Sequence, residues 1–121
     1  MSYDKNNIFA KILRKEIPCA KIFENDYILS FHDINPQKKI HASVIPKDEY
    51  IVLDDFNNRA SDQEIVALSK AITEVSKILG ISTDIGKGYR ALTNLSEHGG
   101  QEVPHLHFHL FGGENVGKMV E

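Results

Sequence analysis

The sequence predicts an α+β domain, a five-stranded antiparallel sheet carrying two helices. Three observations lead there. One long amphipathic helix, announced by a capping signal, sits in the middle of the chain. Short strand-like segments lie on either side of it. Within each group the strands follow one another without helical crossovers, which favours antiparallel pairing.

The elements follow in order. Asn7 is placed to cap a short helix from Ile8 to about Lys15, with Ile8, Phe9, Ile12 and Leu13 on one face and Pro18 beyond its end. Lys21–Glu24 and Tyr27–His32 read as two strands joined by a turn at Asn25-Asp26. Asn35-Pro36 marks another turn, and His41–Ile45 is a third strand ended by Pro46. Ser61 and Glu64 have the spacing of a capping box. Ile65, Leu68, Ile72, Val75 and Leu79 then recur at helical spacing up to a stop at Gly80. Tyr89–Thr93 is a fourth strand, and His105–Phe111 a fifth, closed by Gly112-Gly113. There is no internal repeat, low-complexity tract or long linker, so residues 1–121 read as one domain.

Composition narrows the function classes. Apolar residues make up 41% of the 121 and charged residues 26%, a balance that supports a packed core. A net charge of -3 argues against a nucleic-acid polymer as partner, because duplex binders carry a basic excess that displaces counterions. A small anionic ligand stays open, since local geometry can hold one phosphate. Met1–Lys15 has no continuous apolar run and reads as no signal peptide, and no segment reaches the roughly 20 apolar residues of a membrane span. Cys19 is the single cysteine, which reads as a small packed side chain in a reducing, cytoplasmic setting.

The chemistry concentrates in His105, His107 and His109, three of six histidines. In a strand, side chains alternate, so these three share one side, while Leu106, Phe108 and Leu110 take the other and face the core. Two readings compete on spacing alone. Histidines two apart can share a zinc ion, although no carboxylate or cysteine nearby on this strand completes the shell. Alternatively, one imidazole attacks phosphorus while its neighbours manage charge and protons.

The flanking sequence decides between them. The run Gly99-Gly100-Gln101-Glu102-Val103-Pro104-His105-Leu106-His107-Phe108-His109-Leu110-Phe111-Gly112-Gly113 resembles the histidine-triad signature, alternating histidine with apolar residues. Phe31-His32-Asp33-Ile34-Asn35-Pro36, then His41 and Val44-Ile45-Pro46-Lys47, match the same superfamily, as does the opening from Ile8 to Ile17-Pro18. The chain thus resembles the Hint branch of the histidine-triad (HIT) superfamily over nearly its whole length.

That resemblance implies a HIT-like homodimer in which two sheets join through the surface near Ile65–Leu79 and Tyr89–Thr93. It implies hydrolysis of purine nucleoside phosphoramidates through a nucleotidyl-histidine intermediate, with no metal and no cofactor. His107 would be the nucleophile, supported by His41 and by His105 acting through its backbone carbonyl. His109 would meet the phosphate or the leaving group. Asn94 and Gln101 match positions that contact phosphate and ribose, and Asp33 matches the carboxylate that binds the ribose hydroxyls. Phe9, Ile12, Phe31, His32 and Ile34 match the walls of the base pocket. Read as bare residues, Asp33 is a turn former, Gly99-Gly100 is either a tight turn or an anion nest, and His98 is a loop residue.

The chain departs from animal members of that branch in two places. The segment Glu114–Glu121 has no tryptophan or aromatic tail. Glu102 stands where those members carry serine, and a carboxylate there would favour cationic or amine leaving groups. Dinucleoside polyphosphate hydrolysis and a non-catalytic nucleotide-binding module are the alternative readings.

Overall fold

The computed structural model describes residues 2–119 and has the element order α1 (Ile8–Leu13), β1 (Lys21–Glu24), β2 (Ile28–His32), β3 (Ile40–Pro46), α2 (Leu53–Arg59), α3 (Asp62–Ile78), β4 (Arg90–Leu92) and β5 (Phe108–Gly112). The five strands form one sheet in the order β1-β2-β3-β5-β4, and every neighbouring pair is antiparallel. The expected α+β architecture is present, with one helix more than the sequence predicts.

The extra helix is α2. Its N-cap is Val52, which offers no side-chain acceptor, and Phe56 is its only buried side chain. Neither a polar cap nor an apolar stripe announces it; Asp54 and Asp55 in the first turn and Arg59 in the last are the complementary charges that remain. The two other helices carry the signals that α2 lacks. Asn7 Oδ1 accepts from the Ala10 N–H at the start of α1. At α3 the Ser61 hydroxyl accepts from the Glu64 N–H, and the Glu64 carboxylate accepts from the Ser61 N–H, so the capping box is complete. Gly80, just past α3, has φ +73°, the left-handed conformation that ends helices.

The sheet buries both faces. On one, Leu68, Ala71 and Val75 of α3 pack on Ile28, Ala42, Val44, Leu106 and Leu110. On the other, Phe9 and Ile12 of α1 pack on Leu29, Phe31 and Ile45. Strand alternation explains the division, because Leu29 and Phe31 take one side of β2 while Ile28 takes the other. Pairing aligns Phe31 with Ser43, Ser43 with His109, and His41 with Phe111. The α1 face therefore carries His41, Ser43, His109 and Phe111 in adjacent rows. Among the described residues no helix is long and apolar enough to cross a membrane.

Candidate active site

The histidine run departs from a plain strand. β5 starts at Phe108, so His105 and His107 lie in the segment leading into it, and only His109 is in the ladder. Local bonding bends that segment: the His105 N–H donates to the Val103 carbonyl, and the Leu106 N–H donates to the Tyr50 carbonyl, outside the sheet. Alternation survives the bend. Leu106 and Leu110 are fully buried on the α3 side, and His105, His107 and His109 take the α1 side.

The three imidazoles are not equivalent. His105 is wholly buried, with Nε2 2.8 Å from the Pro46 carbonyl oxygen and Nδ1 2.5 Å from the Tyr3 hydroxyl. Its pKa is pushed down to about 4 by burial. It is a satisfied core histidine, not part of an open imidazole face. His107 is also buried, and its Nδ1 lies 2.7 Å from the His105 backbone oxygen. A carbonyl only accepts, so Nδ1 carries the proton and Nε2 presents a lone pair. Burial lowers the His107 pKa as well, against the opposing pull of that hydrogen bond and of Asp33 and Glu102. The Phe9 ring stands edge-on to His107 at a centroid distance of 4.9 Å.

A second chain of contacts fixes His109. The Gln37 backbone N–H donates to His41 Nδ1 at 3.2 Å, so the His41 proton sits on Nε2. That nitrogen lies 2.9 Å from His109 Nδ1 and 3.5 Å from Asp33 Oδ2. His41 thus donates to His109, and the His109 proton is left on Nε2. Burial pushes the His109 pKa down to about 4, with the neighbouring imidazoles adding to the shift, and burial lowers His41 too. Both rings are neutral at pH 7. Phe111 closes the row, stacked on His109 at 5.7 Å and tilted against His41 at 4.2 Å.

Several candidate residues take positions their sequence context does not give away. The Asp33 carboxylate makes the expected turn by accepting from the Asn35 N–H at 2.8 Å, and its other oxygen faces His41. Asp33, His41 and His109 bring ligand-type atoms within 4.8 Å of one another, so the residue just past β2 supplies the carboxylate that β5 lacks. Phe9, Ile12 and Phe31 pack together as a wall. Ile34, by contrast, is 82% exposed, and His32 is exposed at the end of β2. Ile34 lies in the bend beyond β2, where its side chain faces solvent.

The Gln101 amide is not free for phosphate or ribose in this structure. Its oxygen accepts from the Ser96 N–H, and its nitrogen donates to the Ile51 and Val103 carbonyls. The Gly99-Gly100 turn is likewise occupied, because the Gly100 and Gln101 N–H groups donate to the Glu97 and Ser96 carbonyls. It is a turn and not an anion nest. A Cβ at Gly99 would lie 2.3 Å from the Leu95 oxygen, which explains the glycine. Asn94 is half-buried just beyond β4, and Glu102 is exposed.

Sequence reasoning missed three contributors. Tyr3 holds His105, the Gln37 backbone sets the His41 tautomer, and the Thr93 hydroxyl donates to the His107 carbonyl at 2.7 Å. All three act from outside the helices and strands through a backbone or hydroxyl group, which no spacing rule exposes. The Ser43 hydroxyl is the buried side-chain group without a partner among the described residues.

Comparison with known proteins places the chain among its relatives. The chain is 40% identical over 119 residues to the purine nucleoside phosphoramidase of Escherichia coli, covering 96% of this chain and 94% of that one. It is 50% identical over 119 residues to an uncharacterized 13.2 kDa HIT-like protein of Azospirillum brasilense, covering 98% of this chain and 95% of that one. A HIT family hydrolase from Clostridium thermocellum superposes with a TM-score of 0.86 at 34% identity, covering 98% of this chain and 99% of the other. Residues 14–116 match the HIT domain itself, and with the triad, the topology and these relatives in agreement, the chain belongs to the HIT family.

Proposed function

We propose that this protein hydrolyses purine nucleoside phosphoramidates through a covalent intermediate on His107. The observation that carries the reading is the His107 Nδ1–H bond to the His105 carbonyl, which leaves Nε2 unprotonated in a neutral ring. In the first step that lone pair forms a bond to the α-phosphorus. The phosphorus–nitrogen bond of the substrate breaks, and its electron pair leaves with the amine, which takes up a proton. A neutral nucleophile adds no negative charge as it approaches an anionic phosphorus centre. Water then attacks phosphorus and releases a proton to solvent, matching the one the amine took up, the bond to Nε2 breaks, and a nucleoside monophosphate and neutral His107 are restored. Nε2–H of His109 is the donor for a phosphoryl oxygen or for the departing amine.

The identity to the Escherichia coli phosphoramidase supports the substrate class. Turnover of adenosine phosphoramidate set against diadenosine tetraphosphate tests it. The amidate should be preferred; preferential cleavage of the tetraphosphate would move the chain to the dinucleoside class, and saturable binding without turnover of either would make it a binding module. The dimer belongs to the same proposal, with β4 as the exposed sheet edge and Val66 and Ile78 of α3 as exposed apolar residues beside the joining surface.

The cluster of Asp33, His41 and His109 makes metal dependence a direct question. In this reading catalysis runs on imidazoles alone, so dialysis against a chelator should leave the rate unchanged. Loss of activity restored only by zinc would replace this mechanism with a metal-assisted one.

Asp33 is proposed to turn from His41 to the ribose hydroxyls when substrate binds. A 2′-deoxy substrate forfeits one charge-assisted hydrogen bond, worth about 1.5–3 kcal/mol, so kcat/KM should fall roughly 10- to 100-fold. Equal values for the ribo and deoxy substrates would remove this role.

Glu102 is exposed, yet its charge reaches His107. It is proposed to favour amine or cationic leaving groups over anionic ones. After solvent and salt screening such a charge is worth about 1 kcal/mol, a few-fold in kcat/KM. In Glu102→Gln the ratio of kcat/KM values for a lysine-linked adenylate and an anionic-leaving-group adenylate should move towards the anionic one, more so at low salt. A constant ratio would assign Glu102 to the solvated surface.

A further inference from the structure

We propose that Tyr3 is a positioning residue for the nucleophile, acting through His105. The inference rests on His107 being the reacting group. The Nε2 of His105 faces the Pro46 carbonyl oxygen, which only accepts, so that nitrogen carries the proton. The ring is wholly buried and neutral, which leaves Nδ1 as an acceptor. The Tyr3 hydroxyl is therefore the donor in the 2.5 Å contact, and its ring stands edge-on to the imidazole at 5.6 Å. Both ends of the His105 ring are tied, one to β3 and one to the N-terminal arm. The backbone carbonyl of this same residue accepts from His107 Nδ1–H at 2.7 Å. Tyr3, His105 and His107 thus form one line, and what holds the His105 ring also aims the carbonyl that sets the His107 tautomer.

The arm is anchored independently of the tyrosine. Lys5 pairs with Glu49 at 2.9 Å, Arg14 donates to the Lys5 carbonyl at 2.8 Å, and Asn7 caps α1. Tyr3→Phe keeps those contacts and the edge-on ring while removing the donor. A buried acceptor then loses its partner, and the His105 ring gains freedom to rotate or to exchange tautomers.

Two measurements on the full-length protein test this. In ligand-free protein, imidazole 15N spectra separate protonated from unprotonated ring nitrogens. Wild type should show single tautomers, Nε2–H for His105 and Nδ1–H for His107. Tyr3→Phe should shift both residues towards tautomer averaging. With adenosine phosphoramidate, Tyr3→Phe should lower kcat about 3- to 10-fold, the worth of one neutral hydrogen bond, with KM nearly unchanged. Lys5→Ala, which loosens the arm but keeps the hydroxyl, should retain both wild-type spectra and kcat. Unchanged His107 nitrogens in Tyr3→Phe would overturn the proposal whether or not the amidate is a substrate. Loss of kcat to the same extent in Lys5→Ala would also overturn it, by reducing Tyr3 to a part of the arm's folding. If wild type does not turn over the amidate, the phosphoramidase reading fails and the spectra alone decide the role of Tyr3.

Discussion

His107→Asn is expected to lower turnover at least about 10³-fold while nucleotide affinity falls far less. The substitution separates two properties of one side chain. Asparagine keeps a short N–H donor for the His105 carbonyl, so the local hydrogen bond that Nδ1 makes at 2.7 Å has a substitute. It has no ring nitrogen lone pair and cannot form the bond to phosphorus. Removing a nucleophile closes the two-step pathway, and what remains is attack by water aided by the surrounding groups. Phe9, Ile12 and Phe31, proposed to wall the base pocket, keep their packing on one another and lose only the edge-on contact of Phe9 with the His107 ring, so binding should largely survive. Rapid alkaline quench, under which a phosphorus–imidazole bond survives, supplies the complementary reading. Wild type should carry one nucleotidyl group, located on His107 by peptide mass, and the variant none. Near wild-type turnover in His107→Asn would refute the mechanism at its centre.

The sequence reveals the site better than it reveals what holds the site. The α3 helix is legible because a capping box and an apolar stripe coincide, and the Leu106–Leu110 alternation is legible because burial enforces it. The limits have physical causes. α2 has an uncapped start and a single anchor in Phe56, so local signals fall below notice and tertiary packing carries it. The fifth strand begins three residues later than alternation predicts, because the Leu106 N–H goes to Tyr50, outside the sheet. His105 reads as one of three imidazoles sharing a face, and nothing in its spacing shows that a carbonyl and a phenol 102 residues away meet both of its nitrogens and make burial tolerable. Gln101 reads as a ligand contact, but its amide ties loops together through three backbone groups. For His105 and Gln101 alike, a polar side chain with two chemically sensible uses is claimed by partners that include groups distant in sequence, Tyr3 and Pro46 for the one and Ile51 for the other.

The same burial that keeps the histidines neutral should make the fold acid-sensitive beginning near pH 6.5. The pKa of His105 falls from 6.5 in the unfolded chain to about 4 in the fold, because the charged ring would lose its water. Between those values the unfolded chain binds more protons than the folded one, so stability is full above pH 6.5 and declines as pH drops. At about 1.4 kcal/mol per pH unit, His105 alone removes roughly 3 kcal/mol by pH 4. His109 has the same depressed value and adds to the loss, while His41 and His107 shift in the same direction. A domain holds only about 5–15 kcal/mol in total, so the urea midpoint should fall steeply between pH 7 and pH 4.5. Paired carboxylates act in a lower window. Glu24, held at about 2 by Lys47 and Lys21, loses its contribution only as pH falls from 4.5. The decline above pH 4.5 therefore isolates the histidines. Activity should follow a different curve, because Nε2 of His107 attacks only when unprotonated and its pKa lies below 6.5. The acid limb of kcat/KM should accordingly begin at lower pH than the decline in stability. A urea midpoint constant from pH 7 to pH 4.5 would show that the folded chain binds protons as readily as the unfolded one, and the burial-depressed pKa values of these rings would have to be abandoned.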